Sequence, residues 1–137
     1  MKSPASIALT KAGAAISAQL TTDGRTATVL TNPDETTTLP FVRIQHIIES
    51  ELELQKDSHF SDFVLLASAF SMDQDGSLGI AASIRLAVGP GSTILDLSPD
   101  YTHIRTTLVS SEQLTEPSSA GDIWATHQRF RLMIQHA

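Results

Sequence analysis

Histidine is the residue type in this chain with the widest reach in metal and acid–base chemistry. The five histidines are His46, His59, His103, His127 and His136, and no two of them lie at HxH or HxxxH spacing. No carboxylate completes a compact metal motif beside any of them. We therefore expect no metal site, and we interpret these side chains as core or interface histidines that each make one hydrogen bond.

Three short motifs resemble reactive sites without completing them. Asp73 to Gly76 begins like a calcium loop, but the glycine comes early and the closing glutamate is missing. The stretch 89–93 has the glycines of a phosphate loop but not its lysine. Glu49, Glu51 and Glu53 share one side of a predicted strand and are interpreted as a solvated edge. No nucleophile elbow is present, so the sequence predicts neither an enzyme nor a cofactor.

A small donor-rich patch is the remaining chemical signal. Arg43 and Gln45 alternate with apolar residues on one predicted strand, and Ser83 and Arg85 do so on another. These side chains donate hydrogen bonds to phosphate oxygens and base edges, and Lys56 can reach the same surface from a turn. The net charge of −6 argues against nucleic-acid binding by bulk charge alone, so the fold must assemble any basic patch. An ordinary solvated sheet face is the alternative.

Composition limits the framework that must position this patch. The 137 residues predict one domain, 1–137, and the 5% aromatic content predicts a core of aliphatic side chains. The absence of cysteine excludes disulfides and thiolate sites. No stretch is apolar enough for a signal peptide or a membrane span, so we expect no membrane partner.

The first half of the chain is predicted to be strands. Residues Ser6 to Leu20 form a hairpin around a Lys11–Gly13 turn, and Arg25 to Thr31 form a third strand after the Asp23–Gly24 turn. Two apolar runs, 41–54 and 60–72, continue the sheet.

The second half is predicted to hold one more strand and then two helices. Residues Leu78 to Val88 alternate between apolar and small or polar side chains, which indicates a strand with one buried side. Ser98 and Pro99 are typical of a helix start, which predicts helices over Ser98–Ser111 and Ala120–Gln135. Tyr101, Ile104 and Leu108 recur at helical spacing on the first helix.

This order of elements resembles the coat proteins of single-stranded RNA bacteriophages, the levivirus type. The segments that carry the resemblance are SIALTKAGAAISAQL, DGRTATVL, FVRIQHIIES, SDFVLLASAF, SLGIAASIRLAV and SPDYTHI, which together span nearly the whole chain. The fold that it implies is α+β, with an N-terminal β-hairpin, an antiparallel sheet of five to six strands and two C-terminal helices. Those helices pack on the sheet of a partner subunit.

The resemblance also implies a function and partners. The chain would dimerise and assemble into an icosahedral shell around genomic single-stranded RNA, forming a virion in the cytoplasm of a bacterial host. The bare sheet face, with Arg43, Gln45, Ser83, Arg85 and Lys56, would bind the RNA. The dimer interface would include Tyr101, Ile104, Leu108, Ile123, Trp124 and Phe130.

Two other classes remain open. One is a cone-shaped α+β enzyme or small-molecule-binding protein of the nuclear-transport-factor-like type, which begins with helices and ends in long strands. The other is a plain dimeric interaction module. A large particle would favour the coat protein, whereas a small protein with a ligand pocket would favour the first alternative.

Overall fold

The computed structural model describes residues 4–31, 38–51, 60–91, 95–99 and 101–136. They form two helices and five strands. These are α1 (Pro4–Thr22), β1 (Thr28–Leu30), β2 (Phe41–Glu51), β3 (Phe60–Ser71), α2 (Gln74–Val88), β4 (Tyr101–Ser118) and β5 (Gly121–His136). Lys56 lies outside the described residues.

The five strands form one mixed sheet in the order β1-β2-β3-β5-β4. β1 runs parallel to β2, and the other neighbours are antiparallel. Both helices pack on one side of this sheet, called the helix face below. A single apolar core lies between them, with Ile16 from α1, Ile84 from α2 and Phe130 from β5 almost fully buried.

The predicted N-terminal hairpin is wrong, because residues 4–22 form α1. Ala8, Ala12, Ile16 and Leu20 recur at every fourth residue, and all four are buried on the side that meets the sheet. Gly13 lies inside the helix rather than in a turn, and a Cβ there would come within 3.2 Å of a methyl group of Ile44. The alanine-rich sequence therefore supplies a helix that approaches the sheet closely.

The predicted strand over Leu78–Val88 is also wrong, because it belongs to α2. Ile80, Ile84 and Val88 satisfy a two-residue period and a four-residue period equally well, and all three are buried. The Asp73–Gly76 motif decides between them: the Asp73 carboxylate accepts a 2.6 Å hydrogen bond from the Gly76 amide and caps the helix.

The two predicted C-terminal helices are strands, β4 and β5, joined by a turn at residues 119–120. Phe130, Leu132 and Ile134 alternate and are fully buried on the helix face. Ser98 and Pro99 form a turn rather than a helix start. The threonines and β-branched residues of the segment fit strands better than helices, and this preference outweighs the helical spacing of a few apolar residues.

The chain's own helices cover its own sheet, so the predicted packing of helices on a partner subunit is wrong. The two runs 41–54 and 60–72 do contain strands, as predicted, and they are β2 and β3. They form the centre of the sheet with β5.

β4 is an edge strand with two irregularities. Register shifts fall between His103 and Arg105 and between Leu108 and Ser110, which leaves Ile104 and Val109 without a partner on β5. Such bulges place an extra residue in one strand and bend it locally.

Candidate functional site

The side of the sheet away from both helices carries a cluster of polar and charged side chains, and we call it the open face. Strand register aligns its residues in three rows across β2, β3, β5 and β4. The rows are Phe41–Phe70–Ala125–Leu114, Arg43–Ser68–His127–Glu112 and Gln45–Leu66–Arg129–Ser110. Neighbouring strands are about 4.8 Å apart, so each row spans roughly 14 Å.

Phe70 is the centre of the first two rows. Its ring stacks on Phe41 at 4.7 Å between centroids and meets the ring of His127 edge-on at 6.0 Å. The guanidinium carbon of Arg43 lies 5.3 Å from the Phe70 centroid, within reach of a cation–π interaction. These contacts hold Arg43 in place against the sheet.

A hydrogen bond fixes the middle of the polar row. The hydroxyl of Ser68 and Nδ1 of His127 are 2.7 Å apart. Burial lowers the pKa of His127, and the nearby Arg43 lowers it further, although Glu112 and Glu116 act in the opposite direction. These effects together favour the neutral form of His127.

Ser68, His127 and Glu112 are the residue types of a nucleophilic triad, but their arrangement does not suit one. Ser68 is 0% exposed, so its hydroxyl is closed to a substrate. The serine also contacts Nδ1, whereas in the serine-protease arrangement the nucleophile contacts Nε2 and the acid holds Nδ1. The row is a structural network on the open face.

The open face gathers positive charge. Four of the six arginines lie on it by register, namely Arg43, Arg105, Arg129 and Arg131. Asp62, Glu112 and Glu116 are the carboxylates that register places among them within the described side chains. The face is therefore slightly basic in a chain whose net charge is −6.

The structure brings together only part of the predicted RNA-binding set. Arg43 and Gln45 lie side by side on the open face. Ser83 and Arg85 belong to α2 on the opposite side of the sheet, where Ser83 is buried and donates to the Asp23 carboxylate. Arg85 is exposed. A role in RNA binding stays a prediction for all of these residues.

The predicted dimer residues are divided between core and surface. Phe130 and Tyr101 are buried, and Leu108 packs against the same core. Ile104 is 37% exposed at a bulge of β4, and Ile123 and Trp124 are half-buried near the β4–β5 turn. Their role in a dimer stays a prediction.

The sequence reasoning missed Arg129, Arg131 and His127 as open-face residues. The signal was present, since residues 127, 129 and 131 alternate with the apolar Phe130 and Leu132. A helical interpretation of 120–135 placed His127 and Phe130 on the same side and hid this alternation.

Two grooves border the helices. The first, of about 350 Å³, runs between α1 and the edge strand β1 and is lined mainly by small and apolar residues such as Gly13, Ala14 and Val29. The second, of about 210 Å³, lies between α2 and the β4–β5 hairpin. Its lining residues are Leu78, Ala81, Ala82, Arg85, Ser111, Thr126 and Gln128.

Two negative findings apply to the part of the chain that the structure describes. No three histidine or acidic side chains there converge in a way that could hold a metal ion. Neither helix there is both long and apolar enough to cross a membrane.

Comparison with known proteins identifies a solved structure of similar fold. No family model matches the chain, and no curated protein matches its sequence. A solved structure does match over nearly the full length. The fold is shared with a chain of a virion particle. That structure is the virion of a native gene transfer agent (GTA) particle, with a TM-score of 0.66, 12% identity, and 94% of each chain covered.

Proposed function

We propose that this chain is a structural, non-catalytic subunit of a phage-like particle and that it associates with copies of itself. The observation that carries the proposal is the shared fold: the alignment covers 94% of both chains at a TM-score of 0.66. A match of this extent spans nearly the whole chain rather than one common motif. The buried Ser68 hydroxyl supports a structural role for the most enzyme-like cluster.

The levivirus version of this function depends on an order of elements that the fold overturns. An icosahedral shell around single-stranded RNA therefore has no remaining support from topology, and we restrict the proposal to a self-associating particle subunit. The nuclear-transport-factor-like alternative has the element order of this chain, which begins with a helix and ends in long strands. In this chain, however, large side chains such as Phe63 and Phe130 fill the space between the helices and the sheet. That space therefore belongs to the core rather than to a ligand.

Self-association is tested on the purified full chain. Sedimentation velocity over a wide concentration range, followed by negative-stain electron microscopy of any large species, should show discrete oligomers or particles. A chain that stays monomeric at every concentration, alone and with nucleic acid, would contradict the proposal.

We also propose that the open face contacts the nucleic acid of the particle. Arg129 and Arg131 are two residues apart on β5, about 6.6 Å along the strand, so their side chains can reach successive phosphates. Arg43 supplies a third cation across the sheet, held by its contact with Phe70. Phosphate contacts of this kind give binding that is independent of base sequence and sensitive to salt.

The matched test compares two double variants with the same change in charge. Arg43→Gln with Arg129→Gln removes open-face cations, and the helix variant, Lys11→Gln with Arg25→Gln, removes exposed cations from the helix side of the sheet. Binding to a labelled single-stranded RNA and to duplex DNA is followed by fluorescence anisotropy over a salt series. The slope of the logarithm of affinity against the logarithm of salt concentration should be shallower in the open-face variant, by about 0.9 for every duplex phosphate that the protein no longer neutralises. The helix variant should match wild type. Equal effects of both variants would contradict the proposal.

A further inference from the structure

The groove between α2 and the β4–β5 hairpin contains a buried polar atom without a partner. Gln128 is 1% exposed, and its Oε1 makes no hydrogen bond with any described residue. A buried acceptor in this state costs free energy unless a donor reaches it. Gln128 lines the groove, so a rotation of its side-chain amide towards the groove would let a guest supply that donor.

The rest of the lining defines the guest. Leu78, Ala81 and Ala82 form an apolar wall on α2, and Leu78 is 44% exposed. Arg85 stands on the same wall with an exposed guanidinium group. The groove therefore suits a segment with an apolar side chain, a backbone or hydroxyl donor and a carboxylate.

The end of the β4–β5 hairpin has these three properties. Leu114 is 51% exposed, and every residue from Leu114 to Asp122 is exposed. Glu116 and Asp122 provide carboxylates, and the exposed Ser119 provides a hydroxyl donor. It is complementary in charge to Arg85.

We infer that the hairpin end of one copy docks in the α2–hairpin groove of a second copy. Arg85 pairs with Glu116 or Asp122, a hydroxyl of the hairpin end donates to Gln128 Oε1, and Leu114 packs near Leu78. The two surfaces differ, so the contact is head-to-tail, and each pair of copies keeps one free groove and one free hairpin end to which further copies can add. This inference rests on the proposed self-association and names the surfaces that produce it.

The first experiment removes the unpartnered acceptor. Gln128→Met keeps a similar volume without the amide, so the isolated subunit should be at least as stable as wild type. Self-association, measured by sedimentation velocity, should weaken about ten-fold because the guest donor then has no acceptor. Unchanged self-association would overturn the inference.

The second experiment reverses charges. Arg85→Glu should weaken self-association by about ten-fold or more, whereas Lys11→Glu, the same charge change on exposed α1, should not. A chain with Glu116→Arg and Asp122→Arg should be equally defective alone. Mixing it with the Arg85→Glu chain should restore assembly, because every contact between unlike copies then joins opposite charges.

The outcomes separate the two proposals. Wild type that associates while Arg85→Glu and Lys11→Glu behave alike would overturn the docking mode and leave the particle subunit intact. A mixture that fails to assemble would also overturn the docking mode. Wild type that never associates would overturn both.

Discussion

The two faces of the sheet differ in what covers them and in which side chains they carry. The helix face is covered by α1 and α2, and its buried side chains are mostly aliphatic, with Phe63 and Phe130 among them. The open face has no described helix over it and carries two stacked aromatic rings, four arginines and the Ser68–His127 pair. β3 contributes to both, with Phe63 and Leu65 on one side and Leu66 and Phe70 on the other. One sheet thus separates a closed apolar core from an uncovered polar surface.

A pair of phenylalanine substitutions should give the largest contrast between the faces. Phe130→Ala leaves a cavity in the closed core, where the side chain is 0% exposed, and should cost about 3–5 kcal/mol. Phe41→Ala removes a half-buried ring that stacks on Phe70, and should cost about 1 kcal/mol. Urea denaturation monitored by circular dichroism measures both. Equal destabilisation by the two variants would mean that something covers the open face as well.

Two buried serines sharpen the same comparison. Ser77 donates to the Ala69 carbonyl at 2.9 Å and contacts the Thr126 hydroxyl at 2.7 Å, between α2 and the sheet. Ser77→Ala should cost about 1–3 kcal/mol, because it removes two buried hydrogen bonds and leaves the Thr126 hydroxyl only its 3.3 Å contact with Gln113. Ser68→Ala on the open face should cost about 1 kcal/mol, since half-buried His127 can turn to water. A larger cost at Ser68 than at Ser77 would reverse the assignment of the two faces.

The pH dependence of stability should depend mainly on His103. The amide of Leu95 donates to its Nδ1 at 2.9 Å, and Nε2 is 2.9 Å from the Thr106 hydroxyl, so both nitrogens are engaged in the neutral form. Burial lowers the pKa of His103 from its ordinary value of 6.5. The unfolded chain therefore binds the proton more readily, and stability falls as the pH drops below 6.5 towards the folded value.

Urea midpoints measured between about pH 7.5 and 5.5 test this, since histidine is the side chain that ordinarily titrates there. His103→Gln should flatten the curve more than His127→Gln, because His127 is only half-buried and its pKa also receives opposing contributions from carboxylates. The slope is the readout, so a general decrease of stability in either variant does not affect the conclusion. Equal slopes in His103→Gln and wild type would contradict the assignment.

The smallest expected effect is at an ion pair of the open face. Arg131 Nε lies 3.8 Å from the Asp62 carboxylate, and the Arg131 side chain is 56% exposed. Arg131→Gln should therefore change the free energy of unfolding by less than about 0.5 kcal/mol. A nucleic-acid affinity that falls in the same variant would show that this arginine serves binding rather than stability. Destabilisation as large as that of Ser77→Ala would show that the pair is structural.

The sequence predicts β2 because the start of its apolar run is rich in β-branched residues, although Ile44, Ile48 and Leu52 also fit a helical period. It predicts β3 from an apolar run that follows a polar turn. It fails at α2, where Ile80, Ile84 and Val88 fit two periods and only the Asp73 cap distinguishes them. It fails again at β5, where Ile123, His127 and Phe130 fit the spacing of one helix side. In the strand, His127 and Phe130 lie on opposite faces. Tertiary packing decides such segments, and a single sequence does not contain it.

The open face could be predicted only in part for the same reason. Arg43 and Gln45 follow from alternation on a strand that is real. The prediction misplaces Arg85 because its strand is a helix, and it omits Arg129 because its helix is a strand. Correct assignment of α2 and β5 would exchange these two arginines.

The bulges at Ile104 and Val109 affect how readily the edge of the sheet can aggregate at high protein concentration. β4 is 18 residues long, and its outer edge is free of any described strand. A straight edge of that length is a template for cross-β aggregation. The two extra residues twist the edge out of register, so an incoming strand meets only short regular stretches. We therefore expect this edge to resist fibril formation, and deleting Val109, which restores regular pairing there, should convert a clear solution of the protein into a turbid one.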